Sequence, residues 1–213
     1  ALDRPGLVRV QMRALLRAAA GRKLSIMFPL VTTLEEFRAT RALLDMEKAR
    51  LESFGHVVPA SLEVGTMLEV PALVWELDQL LPELDFLSVG TNDLMQFFFA
   101  ADRGNPQTSH RYDFLSLPSL RLLAQIRNIC ASHNVPVSIC GELGGRPLEA
   151  MALLGLGYER FSLPSASIGP VKRMIRSASQ AKLQAALSNL LQEAPANMRE
   201  AMQQIADAQG VKL

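Results

Sequence analysis

The chain has 213 residues, 49% of them apolar, which is enough to bury one sizeable α/β domain or two small ones. Its 22 basic and 21 acidic residues are interspersed and leave a net charge of +1, so neither nucleic acid nor a charged membrane surface is expected as a partner. Two cysteines do not make a disulfide framework, and no apolar run reaches transmembrane length. The chain therefore reads as cytoplasmic. It begins at Ala1 with neither an initiator Met nor a signal-peptide layout, and is expected to be a piece of something longer.

The first segment reads as a helix. Asp3 is the expected N-cap, Pro5 lies in the first turn, Val8, Met12, Leu15, Leu16 and Ala19 recur at helical spacing, and Gly21 is the stop. Residues 24–30, LSIMFPL, have strand length. Thr33 and Glu36 then form a capping box that opens a helix carrying Phe37, Leu44 and Leu51 on one face. The alternation continues with a strand over 61–70, a helix over 71–81 and a strand over 85–91. A loop follows, whose polar part is ADRGNPQTSHRYD. After it come a helix over about 116–133, the strand VPVSIC, the helix PLEAMALLG and the short strand RFSLP. From Ser177 onward the Ala-, Gln- and Leu-rich tail should be helical.

Five apolar strands alternating with helices predict a parallel sheet covered on both faces. No GxGxxG follows the first strand and no GxxxxGK[ST] occurs, which favours a (β/α)8 TIM-type barrel over an open nucleotide-binding sheet. Five strands cannot close an eight-stranded barrel, so an incomplete one is expected. The division is a partial barrel over 1–178 and a helical tail over 179–213.

The polar residues embedded in these strands cluster at their C-terminal ends, where parallel α/β folds build sites: Glu69, then Thr91, Asn92 and Asp93, then Cys140 and Glu142. Buried carboxylates need partners, and Glu69 with Asp93 could either hold a hard cation such as Mg2+ or cap the helices that follow them. Arg103, beside Gly104, offers a planar fork for phosphate or carboxylate, although a lone loop arginine is more often a surface residue. His56, His110 and His133 lack metal-ligand spacing. Cys130 reads as a small buried residue, and Cys140, judged by residue type alone, is more often inert than reactive.

Taken together, MLEVP, FLSVGTNDLMQFFFAADRGN, ICGELGG and the strand IMFPLV resemble the C-terminal phosphoenolpyruvate-binding barrel of enzyme I of the bacterial phosphotransferase system, the phosphoenolpyruvate-protein phosphotransferases. Pyruvate phosphate dikinase and phosphoenolpyruvate synthase share related motifs. The resemblance runs from Ala1 to about Arg176, and the FFFAADRGN variant and SLPSASIGPVKRMIRS look more like the nitrogen-related branch than the sugar one. It implies Glu69 and Asp93 as Mg2+ ligands, Asn92 and Arg103 as phosphate-binding residues, and Cys140 as the proton donor to C3 of the enolpyruvate. It further implies phosphoenolpyruvate and pyruvate as ligands, a small histidine phosphocarrier protein as partner through an N-terminal region, and a homodimer.

In that chemistry the phosphoryl group passes to a histidine, Mg2+ stabilises the enolate oxygen, and a protonated thiol delivers a proton to carbon. The family's further phosphoenolpyruvate-binding arginines and its phosphohistidine have no counterpart in this sequence. The chain alone is therefore expected to bind phosphoenolpyruvate weakly and to complete no transfer. Two other readings compete: a Mg2+-dependent aldolase or lyase acting on pyruvate-like enolates, and a dimerisation or regulatory remnant. The first has no need of a strand-end Cys followed by GEL, nor of DRGN.

Overall fold

The computed structural model describes residues 4–108 and 111–213. Helix α1 spans Gly6–Ala18, with Pro5 at its N-terminal boundary and Met12, Leu16 and Ala19 buried. Asp3, the expected cap, and His110 lie outside the described residues. Strand β1 (Lys23–Phe28) leads to α2 (Leu34–Ser53), where the Thr33 side chain accepts the Glu36 N–H at 3.2 Å. The reciprocal half of the capping box is displaced by one residue, because the Glu36 carboxylate accepts from the N–H of Thr32 at 2.7 Å. Phe37, Leu44 and Leu51 are all buried, as their seven-residue spacing predicts.

Glu47 shares that face and is fully covered, with Arg9 and Arg13 of α1 donating to its two oxygens at 2.5 and 2.8 Å. Burial pushes its carboxyl up, but hydrogen bonds from Arg13 and Arg9 outweigh burial and hold it below its ordinary value. The α1–α2 packing is thus fixed by an ion triad as well as by apolar contact.

Strand β2 (Ser61–Leu68) is followed by a segment that is not the regular helix expected over 71–81. A 3-10 turn over Pro71–Glu76 gives way to a single α-turn, α3 (Leu77–Leu80), and a second 3-10 turn over Leu81–Glu83. The Glu76 carboxylate there accepts the Leu34 N–H at the start of α2, at 2.5 Å. Leu73, Leu77, Leu80 and Leu81 are nevertheless fully buried, so tertiary packing overrides helical regularity.

Strand β3 (Phe86–Gly90) runs directly into α4 (Thr91–Phe98), a helix in what reads from sequence as loop. Helix α5 (Leu117–Ser132), β4 (Val137–Cys140), α6 (Pro147–Gly155) and β5 (Phe161–Ser162) follow. Helix α7 (Ile168–Ser177) was not legible as a separate element. The tail forms α8 (Gln180–Glu193), packed on α6, and α9 (Met198–Gln209), which touches both α6 and α8.

All five strands are parallel and adjacent in sequence order, β1-β2-β3-β4-β5. Successive parallel strands with a crossover after each build the wall of a barrel, and five of them form part of one. The register aligns Leu68 with Val89, Val89 with Ile139, and Gly90 with Cys140. Glu69, Gly90 and Cys140 therefore stand on one level of the C-terminal edge. Among the described residues, no helix is long and apolar enough to cross a membrane.

Candidate active site at the C-terminal edge of the sheet

Glu69 is buried just beyond β2. Its Oε1 accepts the Leu30 N–H at 2.7 Å, which ties the β2 end to the loop after β1. The helix-capping alternative does not hold for Glu69, since its carboxylate reaches across the sheet and the turn that follows has no side-chain cap. Burial raises the Glu69 carboxyl above its ordinary value; the Leu30 hydrogen bond opposes this, and the charge and direct contact of Asp93 add to it. Two acidic side chains thus converge, with one Glu69 oxygen committed to the backbone. That donor set suits a hard divalent cation, which takes carboxylate oxygens readily. Among the described residues no group of three or more His, Cys, Asp or Glu side chains could hold a metal, so the pair would share a cation with water or substrate oxygens.

Asp93 sits in the first turn of α4, half-exposed, 3.9 Å from the Arg103 guanidinium. That separation lies beyond hydrogen-bond range, and the arginine keeps its donors free for a ligand. Arg103 hangs in the loop after α4, where its N–H donates to Gln96 at 3.2 Å. The Asp102 carboxylate closes the turn by accepting from the Gly104 N–H at 2.8 Å. The loop is gathered at its base by Phe99 stacked flat on Tyr112, centroids 4.8 Å apart.

The Cys140 thiol at the end of β4 is half-buried. It receives the Ser88 hydroxyl at 3.3 Å and points its own hydrogen towards the Val89 carbonyl at 3.4 Å. Desolvation raises its pKa; the Ser88 hydrogen bond opposes this, and the charges of Glu69 and Asp93 add to it. The thiol is therefore kept protonated, opposite to the electropositive setting that makes a cysteine nucleophilic. Cys130 is fully buried in α5, its thiol pushed up to about 12 by burial, and it is a packing residue.

The turn after Cys140 is built around a glycine. Gly141 has φ +117°, and a Cβ there would lie 2.6 Å from the Thr91 hydroxyl and 3.0 Å from Asn92 Oδ1. The Thr91 hydroxyl donates to the Cys140 carbonyl at 2.9 Å. The start of α4 and the end of β4 are thereby locked together, which carries Asn92 and Asp93 beside the thiol's strand.

A cavity of about 890 Å3 opens at this edge, lined by Asn92, Asp93, Arg103, Tyr112, Glu142 and Arg146 among others. Three of the five residues expected from sequence line it. Glu69 and Cys140 do not, although the charges of Glu69 and Asp93 both act on the thiol. Arg146, six residues after Cys140, was missed. Its backbone is tied into the turn, the N–H donating to the Leu143 carbonyl at 3.1 Å and its carbonyl accepting from the Ala150 N–H at 2.8 Å, while its guanidinium makes no hydrogen bond or ion pair among the described residues and is presented to the cavity. An arginine just ahead of a Pro-initiated helix was the available signal. Of the histidines, His133 pairs with Asp78 at 3.1 Å and His56 is exposed, both away from the cavity.

Comparison with solved structures finds the same architecture in a citrate lyase from Burkholderia xenovorans LB400, with a TM-score of 0.53 at 19% identity, covering 95% of this chain and 69% of the other. At that identity the likeness concerns the fold alone. Among curated proteins, the chain is 40% identical over 182 residues to the phosphoenolpyruvate-protein phosphotransferase of Staphylococcus carnosus, covering 85% of this chain and 32% of the relative. The protein of the same name from Haemophilus influenzae is 37% identical over 177 residues, covering 83% and 31%. The chain thus spans about a third of the length of these relatives. Residues 1–180 match the family described as PEP-utilising enzyme, PEP-binding domain, and the chain belongs to that family.

Proposed function

We propose that this chain binds phosphoenolpyruvate with Mg2+ and serves as the substrate-binding part of a phosphoenolpyruvate-protein phosphotransferase. The observation that carries the reading is the convergence on one sheet edge of Glu69, Asp93 and a protonated Cys140, beside a cavity bearing Arg103 and Arg146. Glu69 and Asp93 would hold the cation, which would supply positive charge for the enolate oxygen as the bond from that oxygen to phosphorus breaks and the phosphoryl group passes to the acceptor. Asn92 and Arg103 would orient the phosphoryl oxygens, with Arg146 available to a second anionic group. Cys140, neutral through desolvation and its acidic neighbours, would protonate C3 of the enolate and recover the proton in reverse.

The phosphoryl acceptor would be a histidine outside the described site, and the onward partner a small histidine phosphocarrier protein. We further assign the protein to the cytoplasm, a homodimeric state, and a boundary near residue 178 between barrel and tail. The lyase reading has no use for a thiol held protonated at the strand end.

Calorimetric titration of the chain with phosphoenolpyruvate, with and without Mg2+, tests the proposal. Binding should require Mg2+ and weaken about tenfold or more in Arg103→Gln, the loss of one charge-assisted contact. Absence of binding at millimolar ligand, or affinity indifferent to both Mg2+ and Arg103, overturns it.

A further inference from the structure

The C-terminal helix α9 lies beyond the family-matched residues, yet it reaches the cavity wall. Arg199 of α9 grips Asp113 bidentately, with Nε and a terminal nitrogen 2.6 and 2.7 Å from its two oxygens. The terminal nitrogen that bonds Asp113 also donates to Glu149 of α6 at 2.8 Å.

Both acids matter for where they sit. Asp113 lines the cavity and ends the Arg103-bearing loop: its carboxylate accepts from Leu115 N–H at 3.0 Å, its carbonyl accepts from Ser116 N–H at 3.0 Å, and α5 starts immediately afterwards. Glu149 is buried in the first turn of α6, the helix entered from the Cys140–Arg146 segment. A covered carboxylate without a partner is costly, so Glu149 commits Arg199 to this place, and the planar guanidinium fork then fixes Asp113. One side chain thereby spans the two segments that wall the cavity, the loop with Arg103 and the turn with Arg146. Arg199 occupies both oxygens of Asp113, and Arg146, whose charge also acts on Asp113, keeps its guanidinium free of hydrogen bonds at the cavity.

We infer that Arg199 is a positioning residue for the substrate cavity, and that the C-terminal helix thereby sets the spacing between Arg103 on one wall and Arg146 on the other. The inference rests on the reading of this cavity as the phosphoenolpyruvate site.

Its test joins a measurement that needs no ligand to one that does. Amide hydrogen exchange of the full chain is compared for wild type, Arg199→Gln, Arg199→Lys and Arg121→Gln. The last removes another tie to the tail, Arg121 to the Leu191 carbonyl, away from the cavity. In Arg199→Gln, amides of 99–108 and 112–116 should exchange about tenfold faster, while β2, β3 and β4 keep their protection. Arg199→Lys should recover part of the difference, and Arg121→Gln should leave the loop unchanged. Phosphoenolpyruvate affinity in the presence of Mg2+ should fall in parallel, by about tenfold in Arg199→Gln.

Unchanged loop exchange in Arg199→Gln overturns the inference, as does a loosened loop with wild-type affinity. If wild type itself fails to bind phosphoenolpyruvate, the functional reading fails, and the exchange comparison still decides whether Arg199 clamps the loop. Should Arg199→Gln fail to fold, Asp113→Asn supplies the same comparison with the Arg199–Glu149 pair intact.

Discussion

The backbone N–H of Leu30 donates to Glu69 Oε1 at 2.7 Å from a left-handed conformation, φ +52°. A leucine in that region carries about 1 kcal/mol of strain, and its exposed side chain recovers little by burial. The strain aims a donor at the buried carboxylate. Leu30→Gly relieves it while keeping the N–H, so thermal unfolding should show stability within about 0.5 kcal/mol of wild type or above it. Leu30→Pro removes the donor and cannot adopt this φ, and should cost about 3 kcal/mol or more.

Removing either acid of the converging pair should abolish metal binding more than fold. With Mn2+ as a paramagnetic probe, Glu69→Gln and Asp93→Asn should each weaken binding by about tenfold or more, leaving far-UV circular dichroism unchanged. Wild-type Mn2+ affinity in both variants would remove these residues from the metal site.

Cys140→Ala should separate binding from proton transfer. Phosphoenolpyruvate and Mn2+ affinities should stay within about twofold of wild type, because the thiol is asked only for a proton. In an enzyme joining this barrel to its acceptor histidine, pyruvate formation should fall by about a hundredfold or more. Unaltered turnover would return Cys140 to a packing role.

Gly141→Ala should be damaging out of proportion to its one methyl group. The methyl would enter a left-handed backbone and meet the Thr91 hydroxyl at 2.6 Å. A loss of about 2–4 kcal/mol in chemical denaturation is expected, with weaker Mn2+ binding as α4 shifts. Full stability in this variant would show that the β4–α4 junction tolerates rearrangement.

Glu47 gives a pH-dependent stability that can be read apart from function. Its folded pKa lies below the ordinary value, so the unfolded state takes up its proton first as pH falls. The stabilisation is therefore fully present above the ordinary carboxylate range and is lost as pH drops through the folded value. Glu47→Gln should be less stable than wild type at pH 7, by about 1–3 kcal/mol given that Arg9 and Arg13 are each about one-third exposed. The two proteins should converge in acid. A difference in melting temperature that persists unchanged to pH 2 would contradict the assignment.

Much of this protein was determined by its sequence alone. Apolar runs of strand length between 3.6-periodic segments specify a parallel α/β sheet, because each pattern can bury its face in one kind of element only. Short-range signals such as Thr33 with Glu36, and Pro147 at the start of α6, mark helix starts for local reasons that no distant contact needs to support. The polar residues at strand ends could likewise be listed, since parallel strands present their C-terminal edge together. Tertiary structure decided what those residues face. Helix α4 forms where sequence suggests loop: Leu94 and Met95 are fully buried in the core, and the Thr91 hydroxyl ties the start of the helix to the Cys140 carbonyl. The segment 71–83 breaks into 3-10 turns because its leucines must reach the core. Arg199, 86 residues from Asp113 and 50 from Glu149, could be placed at the cavity by no local pattern, since a guanidinium finds its carboxylates only when packing brings the helices together.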